Sequence, residues 1–164
     1  MLHKLGVDIG GVIIAEIKAA GGLAHIDDDH LNVPPIKGAF EGLVWLEGIF
    51  GSRRFLISKA REEVEEPCRA WLKHQQFFET TRIPESHLHF CRERSGKRAI
   101  CEKLGITHFI DDKLEVLSHL IGIVPNLYLF NPDESEMKPY SEHLPLVTIV
   151  PNWQSFIAFM ETNP

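Results

Sequence analysis

Short apolar runs, separated by longer stretches with helical spacing, set the rhythm of the chain. Leu5, Val7 and Ile9 alternate with Gly6 and Asp8 until Gly10-Gly11 stops the pattern, which predicts a buried strand running into a turn. Further strands are predicted at Arg54–Ser58, around Leu88 and Phe90, at Thr107–Ile110, at Asn126–Phe130 and at Val147–Val150. Between them, Phe40, Leu43, Val44, Leu46 and Phe50 recur as on one helix face, with Gly51 ending the helix. Residues 61–78 predict a second helix with an apolar face through Val64, Cys68, Trp71 and Leu72. Pro67 should kink it or mark its true first turn. Residues 95–104 predict a third, with Ser95 as its cap and Gly105 just past its end. Residues 113–120 predict a fourth, and Asn131–Leu144 reads as a polar, turn-rich stretch. Asn152 is placed to cap a terminal helix through Phe156, Ile157 and Phe159, which should pack on the sheet. Trp45, Trp71 and Trp153 all fall in apolar helical patterns and read as core or near-core. Strands alternating with helices predict an α/β fold: a Rossmann-like three-layer sandwich on a mainly parallel sheet of about five or six strands.

The 164 residues suit one domain, 1–164, large enough for a real core. Residues 16–35, rich in Gly, Ala and acidic side chains, read as a flap or loop too short to fold as a separate cap domain. With 44% hydrophobic and 24% charged residues, the composition is that of an ordinary soluble globule. The net charge of −6 does not indicate a nucleic-acid or anionic-membrane surface. No stretch approaches a membrane helix, and no basic leader precedes an apolar run, so a soluble cytoplasmic protein is expected. Cys68, Cys91 and Cys101 are widely spaced and read as reduced thiols.

Four strand ends carry polar residues: Asp8, Ser58, the Arg92–Lys97 loop, and Asp111-Asp112. In a parallel sheet these C-terminal ends lie along one edge, where ligands bind. Carboxylates from two strands suit a hard cation such as Mg²⁺, which takes one or two of them along with substrate phosphate and water. A Ser and a Lys can hold the remaining phosphate oxygens.

This ordered set resembles the haloacid dehalogenase-like superfamily of Mg²⁺-dependent phosphohydrolases, over nearly the whole chain and in a form without a large cap. Its first motif is matched by Gly6-Val7-Asp8-Ile9-Gly10-Gly11-Val12 at the first Asp, and its second by Phe55-Leu56-Ile57-Ser58. The third is matched best by Lys97, with Lys103 as the rival, and the fourth by Phe109-Ile110-Asp111-Asp112. The resemblance implies that Asp8 is the nucleophile. It also implies that Asp8, the Gly10 carbonyl and Asp112 hold Mg²⁺, with Asp111 a further ligand or an acid just behind the ligands. Ser58 and the amide of Lys59, beside Gly10 and Gly11, would bind the phosphoryl group, while Lys97 offsets its charge. The expected partner is a phosphorylated substrate, large enough in an open site to include a macromolecule; the oligomeric state stays open.

One position departs from the pattern. The family's phosphatases place a second Asp two residues after the nucleophile, as general acid and base; here that residue is Gly10. Losing such a group removes about 10²–10⁴-fold in rate, or about 3–5 kcal/mol of barrier lowering. Three readings follow: a phosphohydrolase working through an aspartyl-phosphate on Asp8 and weakened at this step, with water or another group taking the proton; an enzyme for substrates with good leaving groups, or for a related chemistry that does not need this acid; or an impaired relative that binds metal, phospholigand or protein without turnover. His25, Asp27, Asp28, Asp29 and His30 are candidate replacement proton donors, weighed against a solvated acidic turn.

Two other patterns carry chemistry. His87, His89 and Cys91 fall on one strand face and could bring two ligands to an ion, though no fourth ligand is evident. Arg92, Arg94 and Arg98 would either attract an anionic substrate or form a solvated basic loop.

Overall fold

The computed structural model describes residues 2–15 and 28–163. Six strands, β1 (Leu5–Val7), β2 (Arg54–Lys59), β3 (Leu88–Cys91), β4 (His108–Asp111), β5 (Asn126–Phe130) and β6 (Thr148–Val150), form one sheet. The order is β3-β2-β1-β4-β5-β6 and every pairing is parallel. β1 is therefore central, with Val7 opposite Leu56 on one side and Ile110 on the other. Its three residues are all buried, as a strand covered on both faces requires. Gly6 earns its place through crowding, since a Cβ there would lie 2.6 Å from the Phe109 ring on β4.

Alternate residues feed two apolar layers. On one face Leu5, Val7, Leu56, Ile110 and Tyr128 meet α1 (Ala39–Phe50), α2 (Glu62–His74), α3 (Phe77–Thr81) and α7 (Trp153–Thr162). On the other face Ile57, Phe109, Leu127 and Leu129 meet α4 (Gly96–Leu104) and α5 (Leu114–Leu120). The terminal helix packs on the sheet as expected, with Asn152 Oδ1 accepting from the Ser155 amide at 2.8 Å and Phe156 and Met160 buried.

Several elements differ from the pattern in the sequence. Residues 61–78 fold as two helices, α2 and α3, because Gln76 takes a left-handed backbone (φ 56°) between them. Pro67 lies well inside α2, past its first turn. Ser95 does not cap α4; its backbone is already helical and its hydroxyl bonds no helix amide. The polar stretch after β5 contains α6 (Glu134–Met137) and a 3-10 segment, Lys138–Leu146. Trp45 is not core: 39% of it is exposed, and Val44 is exposed beside it. The buried face of α1 is instead Ala39, Gly42, Leu43, Leu46 and Phe50. There Gly42 makes room for the Trp153 ring, which a Cβ would approach to 2.6 Å.

Part of the 16–35 segment, including the candidate donors His25 and Asp27, lies outside the described residues. Its described end is anchored rather than free. Asp28–Asn32 is a 3-10 turn, the Trp71 indole donates to Val33 O at 2.9 Å, and Gln75 donates to Leu31 O at 2.8 Å. Among the described residues no helix is long and apolar enough to cross a membrane.

Candidate active site

The site forms where β1, β2 and β4 end. After Val7 the Asp8 amide still donates to Ile110 O at 3.0 Å, continuing the ladder by one residue. The chain then turns sharply: the amides of Ile13 and Ile14 both donate to Ile9 O, and the Gly11 amide donates to Ile14 O at 2.8 Å. Gly11 takes a φ of 79° in this turn, a conformation that a side chain disfavours. Trp153 fastens the turn to α7 by donating to Val12 O at 2.8 Å.

Lys97 is the second residue of α4 and is only 2% exposed. Its ammonium reaches Asp8 Oδ1 at 2.9 Å and Asp111 Oδ2 at 2.7 Å, so one buried cation joins the ends of β1 and β4. Burial alone would lower its pKa, but the charges of Asp111 and Asp8, and its hydrogen bonds to them, raise it instead. Lys97 is therefore held as a fixed positive charge. Burial, followed by repulsion from Asp111, raises Asp8 to about 6 even against the attraction of Lys97.

Asp8, Asp111 and Asp112 each bring a carboxylate oxygen within 4.8 Å of the others. Their surroundings divide them. Both oxygens of Asp111 already meet protein donors, Lys97 on Oδ2 and the Lys113 amide on Oδ1 at 3.0 Å. Asp8 turns only Oδ1 to Lys97. An all-oxygen set of this kind, at a sheet edge and beside one fixed cation, fits a hard divalent ion such as Mg²⁺.

The remaining positions fall around this centre. Ser58 is buried two residues beyond Leu56, the partner of Val7, so it lies on the strand end next to Asp8. Lys59 follows as the exposed last residue of β2. Gly10 has open space where a Cβ would stand. Lys103 is in the last turn of α4. His30 is half-buried in the 3-10 turn Asp28–Asn32.

His87, His89 and Cys91 do not form a metal-sized group; among the described residues that group is the three aspartates. His87 bonds Arg54 O through Nδ1 at 3.0 Å and stacks on Phe55, while Cys91 Sγ faces the carbonyls of Ser58 and Glu93. The basic loop is neither free nor simply solvated. Arg92 pairs with Glu65, Arg94 with Glu115, and Arg98 donates to His119 O at 3.0 Å.

Two site features escaped the sequence reading. Lys113, which follows Asp112, lies 3.8 Å from Asp112 Oδ2 and 2.6 Å from Glu136 Oε2. Asn131 follows the apolar run of β5 as Asp8 follows that of β1, the same signal of a polar residue at a strand's C-terminal end.

No family model matches the chain, and no curated protein matches it by sequence. Solved structures do match. A D,D-heptose 1,7-bisphosphate phosphatase from B. bronchiseptica, crystallised with magnesium and phosphate, aligns at TM-score 0.68 and 11% identity, covering 98% of this chain and 99% of that one. The D,D-heptose 1,7-bisphosphate phosphatase of Burkholderia thailandensis aligns at 0.64 and 12%, with the same coverage. A protein of Burkholderia xenovorans LB400, described as a haloacid dehalogenase-like hydrolase, aligns at 0.65 and 12%, covering 95% of this chain and 96% of that one. The chain thus shares the Rossmann-like fold of these three proteins.

Proposed function

We propose that the protein is a Mg²⁺-dependent phosphate monoester hydrolase that works through an aspartyl-phosphate on Asp8. The observation that carries this reading is the buried Asp8–Lys97–Asp111 bridge beside the third carboxylate, Asp112. A hydrolase of this kind needs a carboxylate nucleophile that is held in place and charge-compensated, and the bridge supplies both. Asp8, Asp112 and the Gly10 carbonyl would hold Mg²⁺, which when bound neutralises phosphate charge and orients the ester. Asp111, with both oxygens engaged, positions Lys97.

In the first step an Asp8 oxygen forms a bond to phosphorus as the ester oxygen leaves. Lys97 balances the charge gathered there, and Ser58 with the Lys59 amide would hold the phosphoryl oxygens. The leaving oxygen takes its proton from solvent, since Gly10 has no side chain to give one. Water then hydrolyses the acyl phosphate, releasing phosphate and freeing Asp8. The three structural neighbours, two of them phosphatases, are consistent with this chemistry. We further propose, as the sequence pattern and composition lead one to expect, that this site works in a single folded unit without a separate cap domain, in a soluble cytoplasmic protein.

The test is Mg²⁺-dependent phosphate release from a panel running from activated aryl phosphates to sugar phosphates and nucleotides, with Asp8→Asn alongside. Turnover that requires Mg²⁺ and vanishes in Asp8→Asn is expected. Silence across the panel, with Mg²⁺ still raising the melting temperature, would replace the hydrolase with a binding module.

A further inference from the structure

A pocket of about 370 Å³ opens beside the carboxylate cluster and shares Gly11 and Asp112 with it. The rest of its described lining comes from outside the catalytic set. Lys37, just before α1, lines it together with Lys113, Asn131 and Asp133. The polar groups differ in how far the protein already uses them. Lys113 is paired with Glu136 and faces Asp112. Asp133 Oδ1 accepts from the Ser135 amide at 2.9 Å and its hydroxyl at 2.6 Å, capping α6. The Lys37 ammonium makes no ion pair with any described residue, and the Asn131 side chain makes no hydrogen bond with one. Asn131 is also held in the left-handed region (φ 39°), with its amide donating to Val150 O at 2.9 Å.

Toward β3 the polar side chains near Asp8 are already engaged or buried. Lys97 and Ser58 are buried, and Arg92 and Arg94 are paired with Glu65 and Glu115. Because the pocket shares Gly11 and Asp112 with the site, a group attached to a phosphoryl bound at Asp8 and Asp112 has room to extend into it toward Lys37. A pocket of this size is at the small end for ligand sites and suits a skeleton of a few carbons.

We propose that this pocket receives the leaving group of a small phosphate monoester carrying a second anionic group, with Lys37 pairing with that anion and Asn131 bonding the skeleton. The proposal rests on the hydrolase reading for its orientation, but the binding itself does not require turnover. The anion is a carboxylate or a second phosphate; both present oxygens to a lysine in the same way.

Three three-carbon probes separate the possibilities: glycerol 3-phosphate, 3-phosphoglycerate and propane-1,3-diol bisphosphate. Calorimetry on Asp8→Asn with Mg²⁺ measures binding, and phosphate release by the wild-type protein measures turnover. The expected result is tighter binding of one or both doubly anionic probes than of glycerol 3-phosphate by about fivefold, the scale of a part-exposed ion pair. Adding Lys37→Glu should erase or reverse that preference. Wild-type kcat/KM should follow the same order, and whichever anionic probe leads identifies the anion. Equal affinity for all three probes, or a preference unchanged in Lys37→Glu, overturns the subsite even if every ester is hydrolysed. A Lys37-dependent preference in binding without wild-type turnover keeps the subsite and overturns the hydrolase. Absence of both binding and turnover overturns both.

Discussion

A Cβ on Gly11 would lie 2.2 Å from Oδ2 of Asp112. The turn after β1 and the carboxylate after β4 therefore meet with no room for even one methyl group between them. The bare backbone at Gly11 is what lets Asp112 stand beside Asp8.

Gly11→Ala tests this. The left-handed backbone costs a side chain about 1–2 kcal/mol, and Asp112 must also move. Gly122 supplies the control, having a similar φ of 87° but nothing within 4 Å of the added atom. Both alanine variants should melt below the wild-type protein. Only Gly11→Ala should also lose most of the rise in Tm that Mg²⁺ gives, as read by scanning calorimetry with and without the ion.

Gly10 makes the opposite case. Its φ is not in the left-handed region and its Cβ position is open. Gly10→Asp should fold with stability within about 1 kcal/mol of wild type, as expected for an unstrained substitution away from the core. By supplying a proton donor two residues after the proposed nucleophile, Asp8, it should raise kcat on esters with poor leaving groups by about 10–100-fold. On activated aryl phosphates the gain should be much smaller. Equal gains on both ester types would mean the new carboxylate acts in some other way.

The bridge through Lys97 predicts a coupling that is seen in stability alone. Lys97→Met leaves Asp8 and Asp111 buried without their cation, which should cost about 3–5 kcal/mol. Adding Asp8→Asn removes one of the stranded charges and should restore part of the loss. The measurement is the urea midpoint of the wild type, the two single variants and the double variant. Strictly additive effects would mean that the ion pair holds no net energy.

His108 predicts a pH dependence. Burial, followed by repulsion from the nearby His3, lowers its pKa to about 4 from the ordinary 6.5. The ring packs among Phe50, Tyr128 and His3, with Nδ1 2.8 Å from Thr107 Oγ1. The unfolded chain takes the proton first as pH falls. Its contribution is therefore complete above about pH 6.5 and is lost progressively down to about pH 4. The loss should be of order 2 kcal/mol, discounted from the full shift because His3 is exposed and water reaches that side. Asp8, whose pKa is raised to about 6, titrates with the opposite sign over part of this window. The check is therefore the difference between wild type and His108→Phe in urea unfolding at pH 7 and pH 4.5, which isolates the imidazole.

The positions of Asp8, Ser58, Asp111 and Asp112 were legible because each interrupts or ends an apolar run, and the sheet sets such ends side by side. Lys97 was legible from its place at the start of a helix after a strand, but its contact with two carboxylates from strands far apart in the sequence was not. The pattern failed where small residues form the buried face. In α1 Leu43, Leu46 and Phe50 are buried as the pattern predicts, but Val44 and Trp45 are exposed and Ala39 and Gly42 join the buried face; Gly42 leaves the space that Trp153, more than a hundred residues later, fills. It failed again at Arg54, a fully buried cation whose Nε and Nη1 donate to the carbonyls of Gly51 and Leu43 while Nη2 faces Glu47 at 3.8 Å. Nothing local to Arg54 announces those partners.

The central position of β1 bears on how the chain is made. Its two neighbours are β2, about fifty residues later, and β4, about a hundred residues later. During synthesis at about 5–20 residues per second, Asp8 leaves the ribosome several seconds before Lys97 and Asp111 exist. A nascent chain or a fragment ending before α4 therefore carries Asp8 with neither its counter-charge, Lys97, nor its companion carboxylates, Asp111 and Asp112. The carboxylate cluster is completed only when the fourth strand pairs with the first, which ties assembly of the proposed catalytic centre to the closing of that one pair.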